Sequence, residues 1–382
     1  MKTYIPNDIK DQNRQAILNL IIQKERVSKA ELNELTNLSF VTISKIVNFF
    51  QEKGILIESG DLEDGQSGLG RKRIVYAFNA NSYFTVGAEL IANRLTAVLV
   101  NLKGEVVETS NQLNSVDFQS HDFSEKFCSL VESLAKKAEK LGGQLIGIGL
   151  AVDGAFNQQK KLIRMRADDV QEREINYEAI QEKLKEATHL PVFFENDVNA
   201  AAVAEFDFLD GENESISDLI NVYLGTGIGS GIIINKTLYR GSRSNAGELE
   251  YLCFDPTYQP GPSSIGWLEA KIGKKTLEKK FELNFEVGAE NNLLDLADCE
   301  QYLKQYLVLA LVSSISLYDI HRIILSGEIF PKFSAHFRQD LIDRIKLFLD
   351  ENVQIMLANI QHAAAVGAAI LSLKNELGNI VI

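Results

Sequence analysis

An α/β body preceded by a small helical module is the architecture that this sequence predicts, on three observations. Residues 27–54 hold two short helices of apolar periodicity around a polar break. From residue 84 onward, strand-like and helical segments alternate. Charge divides at the same place. The 382 residues carry 39 Lys+Arg and 52 Asp+Glu, a net −13. Residues 1–82 hold 11 and 10 of these, so the acidity belongs to the remainder. A chain of this length has room for two or three domains, each with its own core.

The N-terminal elements are read in order. A helix is expected from Asp8 to about Lys24, burying Ile17, Leu18, Ile21 and Ile22. Ser28 followed by Glu31 makes a capping box for a short helix with Ala30, Leu32 and Leu35 on its apolar side. Asn37-Leu38-Ser39 breaks it. Phe40 to Lys53 then repeats apolar residues at Val41, Ile43, Ile46, Val47 and Phe50, and Gly54 closes the helix. Two short helices about a tight turn are the helix-turn-helix plan, whose second helix enters the major groove of DNA. Strand-like runs at 55–58 and 74–78, joined by a polar glycine-rich loop ending in Arg71-Lys72-Arg73, make a wing. The expected DNA contacts are Ser39, Thr42, Ser44, Lys45 and Asn48 on the second helix, with Arg71 and Lys72 on the wing. The bland alternative is a solvated helix face and a charged linker.

Three cysteines without CxxC spacing (Cys128, Cys253, Cys299) argue for a reducing compartment and against a disulfide scaffold. No apolar run approaches ~20 residues, and the N-terminus lacks a signal peptide's apolar stretch. A cytoplasmic protein with no membrane partner is expected.

In the body, strands are expected near 84–90, 94–100, 104–109, 145–152, 192–195, 219–224, 232–235 and 322–325, with helices over 124–141 and 198–206 and a mainly helical last third. Ligands of open α/β sheets bind at strand exits. Four segments fit such exits: Gly149 to Gly154, Glu195 to Glu205, Gly225 to Gly231, and Gly247-Glu248 followed by Gly266-Trp-Leu-Glu269.

In order along the chain, these segments resemble the ROK family of repressors, open reading frames and sugar kinases. Glu195-Asn-Asp-Val-Asn-Ala-Ala looks like its sugar segment, Leu224-Gly-Thr-Gly-Ile-Gly-Ser-Gly231 like its glycine-rich phosphate segment, and Asn245-Ala-Gly-Glu-Leu-Glu-Tyr251 like its A-G-E-I-G-H segment. The resemblance implies a winged helix-turn-helix joined to a two-lobed actin-like (ribonuclease-H-like) sugar kinase fold. The domains would span 1–80 and 81–382, with a lobe boundary near 200 and a C-terminal helix returning to the first lobe. It further implies sugar contacts from Gly154, Asn196, Asp197, Glu248 and Glu269. Asp153, where the family commonly has proline, and Tyr251, where it has histidine, depart from the pattern and are added as candidate contacts. In the family's kinases the residue matching Asp197 is the general base. Asp197 could instead simply cap a helix, Asp153 could cap a turn, and Gly225 to Gly231 reads best as a plain tight hairpin.

Two departures from the family pattern matter. The kinases' D-x-G-G-T phosphate hairpin corresponds to Glu89-Leu-Ile-Ala-Asn93, where both glycines are gone and Glu89 is too long for the aspartate's place. The family's zinc ligands correspond to Tyr251, Pro260, Pro262 and Trp267, so no zinc and no other cofactor is expected. The expectation is a sugar-responsive repressor, not an enzyme, that binds a double-stranded operator as a homodimer or higher homo-oligomer and is released by a sugar or sugar phosphate. The alternatives are an active sugar kinase with an appended DNA-binding domain, and a regulator controlled by a protein partner.

Overall fold

The computed structural model describes residues 6–61, 74–157, 159–167, 171–212, 216–225, 227–259, 266–286, 288–349 and 352–381. The chain opens with α1 (Pro6–Lys24), β1 (Arg26–Ser28), α2 (Lys29–Thr36), α3 (Phe40–Glu52), β2 (Leu56–Asp61) and β3 (Ile74–Phe78). The three strands form an antiparallel sheet in the order β1-β3-β2. Ser28 Oγ accepts the Glu31 N–H at 3.2 Å, which starts α2, and Asn37 in left-handed conformation (φ 54°) ends it. Ser39 caps α3 through the Thr42 N–H at 3.2 Å. Ile17, Leu18, Leu32, Ile43, Val47 and Phe50 are sealed between the helices.

Two apolar expectations fail here. Leu35 is 47% exposed and Val41 is 64% exposed. The buried side of α3 is set by Ile43, Ile46, Val47 and Phe50. At 3.6 residues per turn, Val41 falls opposite them and shares its face with Lys45 and Asn48, four and seven residues on.

The body continues with β4 (Tyr83–Ile91), β5 (Arg94–Asn101), β6 (Val106–Thr109), α4 (Phe123–Lys140), β7 (Gln144–Val152), β8 (Ala155–Asn157), β9 (Leu162–Ala167), β10 (Gln171–Asn176), α5 (Tyr177–Thr188), β11 (Val192–Asn196) and α6 (Asp197–Glu212). Then come β12 (Leu219–Leu224), β13 (Ile228–Ile234), β14 (Thr237–Leu238), α7 (Trp267–Ile272), α8 (Lys274–Phe281), α9 (Leu293–Tyr318), β15 (Arg322–Ser326), α10 (Phe337–Ile345), β16 (Gln354–Leu357) and α11 (Ala363–Val381). Two five-stranded sheets result, in the orders β11-β7-β4-β5-β6 and β14-β13-β12-β15-β16. Both follow one plan. Three antiparallel strands come first in the chain, and two parallel strands then extend the sheet from the first of them. The small antiparallel sheet β10-β9-β8 had no counterpart in the sequence reading.

Helix α11 crosses back from the second sheet to the first. Its opening run Ala-Ala-Ala-Val-Gly-Ala-Ala carries no bulk, so its backbone seats directly on its neighbours. A Cβ on Gly87 of β4 would lie 1.9 Å from Ala365 O, one on Gly149 of β7 2.1 Å from Ala368 O, and one on Gly367 1.7 Å from Ala200 O of α6. The far end of α11 serves another core. Leu373, Leu377 and Val381 pack with Ile17, Leu18 and Ile21 of α1, and Arg14 Nη1 donates to Val381 O at 2.8 Å.

Replacing Gly367 by Ala should force α6 and α11 apart and lower stability by about 1–3 kcal/mol. Gly378→Ala in the same helix meets open space and should be neutral or stabilising. Urea unfolding of the two variants checks the contrast.

Candidate functional site

Strands β7 and β11 run parallel with Val152 opposite Asn196, so Asp153-Gly154 and Asn196-Asp197 leave the sheet side by side. Asn196 Nδ2 donates to Gly154 O and to Asp197 Oδ1, each at 3.0 Å. Its Oδ1 accepts the Asn199 N–H at 2.9 Å, so Asn196, and not Asp197, caps α6. Asp197 is buried, at 8% exposure. Burial, then the neighbouring charges of Asp153 and Glu89, push its carboxyl up to about 8, against the pull of the Val198 N–H. Burial also raises Asp153, whose carboxylate accepts the Ala92 N–H.

Ala92 belongs to the hairpin between β4 and β5, where Ile91 pairs with Arg94 across a two-residue turn. Ala92 (φ 49°) and Asn93 (φ 59°) both hold left-handed backbone without being glycine. Glu89 is not misplaced in this hairpin. Its Oε1 lies 2.7 Å from His362 Nδ1, and its Oε2 accepts the Ala365 N–H at 3.3 Å. That carboxylate therefore sits at the positive N-terminal end of α11. The same hydrogen bond holds His362 above the usual imidazole range.

The second sheet contributes through the β12–β13 hairpin, whose pairing runs out to Leu224 opposite Ile228. A Cβ on Gly229 would touch Val198 Cγ2 at 3.5 Å, and one on Gly227 would lie 3.7 Å from Glu269 Oε2. The hairpin thus abuts both the start of α6 and Glu269. Glu248 is fixed beside β13, because Gly247 O accepts the Ser230 N–H at 2.7 Å and the Ser230 hydroxyl at 3.0 Å. It lines a cavity of about 230 Å³ with Ser230, Asn245 and Tyr318. Tyr251 stands 46% exposed at the end of a short 3-10 turn.

Sequence reasoning missed two ties between the sheets. Glu195 Oε2 accepts from Arg240 Nε at 2.8 Å and Nη2 at 2.6 Å, beside a cavity of about 280 Å³ that Phe193, Phe194 and Asn375 also line. Arg94, next to the hairpin turn, reaches Glu328 at 4.0 Å; Glu328 holds Lys274 at 2.5 Å, and Lys274 holds Glu286 at 2.9 Å. Glu195 stands within a segment already singled out, but nothing in the sequence pairs it with a residue 45 positions on.

Of the four positions expected to have lost zinc ligands, Pro260 and Pro262 lie outside the described residues. Tyr251 and Trp267 supply no sulfur or imidazole nitrogen, and the Cys253 thiol donates to Asp255 O at 3.3 Å, so the donor set here does not fit zinc. Among the described residues no group of three His, Cys, Asp or Glu is placed to hold a metal ion. Among the same residues, no helix is long and apolar enough to cross a membrane.

On α3, Ser39, Lys45 and Asn48 are exposed and Thr42 and Ser44 half-buried. The Ser39 and Thr42 hydroxyls bond each other at 2.9 Å. Lys29 Nζ donates to Asn48 Oδ1 at 3.2 Å. Arg71 and Lys72 lie outside the described residues.

Two lobes of one topology, carboxylates at their strand exits and a helix returning between them are the features of a sugar-kinase-like body. The model of the ROK family matches residues 85–375, and the chain belongs to that family. It is 25% identical over 375 residues to the xylose repressor of Bacillus subtilis (strain 168), covering 94% of each chain. It is 22% identical over 404 residues to the DNA-binding transcriptional dual regulator NagC of Escherichia coli (strain K12), covering 98% of this chain and 95% of the other. In fold it is similar to a ROK family transcriptional regulator, a homologue of the E. coli MLC protein (TM-score 0.77, 21% identity, 98% of both chains). It also resembles a ROK family glucokinase from Streptomyces griseus in complex with glucose and AMPPNP (TM-score 0.59, 21% identity, 76% of this chain and 99% of the other).

The raised Asp197 carboxyl has a measurable sign. The folded chain holds this proton more tightly than the unfolded chain, so stability should fall as pH rises from about 4, the unfolded value, to about 8. Asp197→Asn should flatten that decline. Thermal melts of both proteins across this window are the check.

Proposed function

We propose that the protein is a sugar-responsive transcriptional repressor. Residues 1–80 act as a winged helix-turn-helix that binds an operator, and residues 81–382 act as an effector-binding body whose lobes meet near residue 200. Support comes from the likeness over nearly the whole chain to a xylose repressor and to a DNA-binding transcriptional dual regulator. The observation that carries the reading is the run of α11. Its first turn is held at the cleft by Glu89, and its last turns are part of the core of the N-terminal helices. A ligand that draws the lobes together changes the seat of α11, and the DNA-binding helices are attached to its other end. Such a ligand shifts the DNA-competent population only by its differential affinity for the two arrangements, typically about 1–3 kcal/mol.

The ligand chemistry follows from Asp153, Asn196, Asp197, Glu248 and Glu269. Carboxylates and amides of this kind each bond neighbouring hydroxyls in fixed geometry. Phosphoryl transfer is disfavoured by the same residues that hold the cleft. The Ala92 N–H is already bonded to Asp153, Glu89 is spent on α11, and the Glu328 carboxylate stands by Arg94 beside the hairpin. Phosphoryl transfer depends on positioning and on neutralising charge; an N–H already engaged cannot position a phosphate, and a carboxylate beside the hairpin opposes neutralisation. The protein accordingly needs no zinc and no nucleotide. A homodimer sets two copies of α3 on half-sites one helical turn apart, or a multiple of one.

Calorimetry across a sugar panel should find one ligand class, and Asp197→Ala should weaken it by roughly tenfold or more. Sugar-dependent ADP release by the wild type would overturn the non-enzymatic reading, and silence across the panel would favour a protein partner. Lys45→Ala should lower operator affinity and reduce the salt slope by about 1 if the lysine meets a phosphate. Glu89→Gln should leave DNA binding and sugar binding in place but reduce the sugar's effect on operator affinity. Titrating labelled duplex with and without sugar measures that coupling.

A further inference from the structure

The outward face of α3 is not purely polar. Val41 is 64% and Phe40 56% exposed, although both stand in a helix that buries Ile43, Ile46, Val47 and Phe50. Phe40 is the first residue of the helix, directly after the cap Ser39. Val41 is in line with Lys45 and Asn48. An exposed β-branched residue and an aromatic ring at the start of a helix lose apolar surface to water unless a partner covers them. In a helix-turn-helix it is the N-terminal residues of the second helix that reach base edges. The one apolar group on those edges is the C5-methyl of thymine.

We propose that Phe40 and Val41, at the N-terminal end of α3, read thymine methyl groups in each half-site, while Lys45 and Asn48 supply polar contacts on the face of Val41. The inference rests on the DNA-binding reading above and deepens it. It assigns to two apolar side chains a share of the specificity expected of Ser39, Thr42 and Ser44. Ser39 and Thr42 have part of their hydrogen-bonding capacity occupied, because their hydroxyls bond each other and Ser39 also caps the helix. Lys45, exposed on the face of Val41, suits a phosphate-bearing partner, and the apolar side chains beside it suit a base edge. A polyanion read at close range through its methyl groups uses both kinds of residue at once.

The test uses the full chain. A binding duplex is selected from a random pool, and each thymine in its half-sites is replaced in turn by deoxyuridine, which removes the methyl and leaves every hydrogen-bonding group. Fluorescence anisotropy should show a loss of about fourfold at one or two positions per half-site, the worth of one buried methyl. Val41→Ala and Phe40→Ala should bind the thymine duplex more weakly and lose the distinction between thymine and deoxyuridine at the matching position. Val41→Thr, which replaces one methyl by a hydroxyl and keeps the other, should fall between the wild type and Val41→Ala. Both residues are exposed, so the variants should melt at the wild-type temperature. Uniform affinity across all deoxyuridine duplexes, or an undiminished distinction in the variants, overturns the inference while leaving DNA binding intact. A pool that yields no bound sequence overturns the DNA-binding reading itself, and this inference with it.

Discussion

Everything in the body depends on how closely α11 is seated. Three glycines, one on each of β4, β7 and α11 itself, allow backbone to meet backbone with no side chain between. Thr85 adds a hydroxyl bond to Ala369 O at 3.0 Å, and Glu205 of α6 accepts the N–H groups of Asn359 and Ile360, at 3.1 and 3.0 Å, just ahead of the helix. A contact made of backbone cannot be tuned by rotamers. It is either in register or broken. This makes α11 a stiff member between two places that would otherwise have no mechanical relation, the strand exits around Asp197 and the N-terminal helices around Arg14.

The electrostatics of the cleft follow from that stiffness. Asp153, Asp197 and Glu89 are packed near one another, and each has a specific backbone N–H to lean on: Ala92, Val198 and Ala365. Burial without those donors would be prohibitive. With them, the three carboxyl groups can be buried together. The two lobes are then held at a set spacing by ion pairs of differing strength. The contact of Arg240 Nε and Nη2 with one oxygen of buried Glu195 is short and firm, whereas the Arg94–Glu328 contact, long and half-exposed, is weak.

Much of this was legible in the residues, and the limits have physical causes. Helices α2 and α3 could be read because their ends are written in local chemistry, Ser28 with Glu31 and Ser39 before Phe40, and their buried sides in a 3.6-residue period. Val41 was misread because an apolar residue near the right spacing counts as core until the phase of the whole helix is known. Strands β8 to β10 went unseen because 155–176 is rich in charge and carries little alternation. The shared strand order of the two sheets is a property of pairing, and unrelated side chains produce it. In the cleft, Asp153, Gly154, Asn196 and Asp197 were found together because each stands beside its neighbour in a short motif. Glu89 was read as damage because its partner, His362, is 273 residues away; Arg240 was missed for the same reason.

Glu89 also ties two distant stretches of the chain together. Its carboxylate is presented by β4 and reaches both His362 Nδ1 and the Ala365 N–H at the opening of α11. A shorter acid at this position would release both contacts at once. The length of this one side chain is therefore constrained by strand and helix jointly, a requirement that neither element imposes alone.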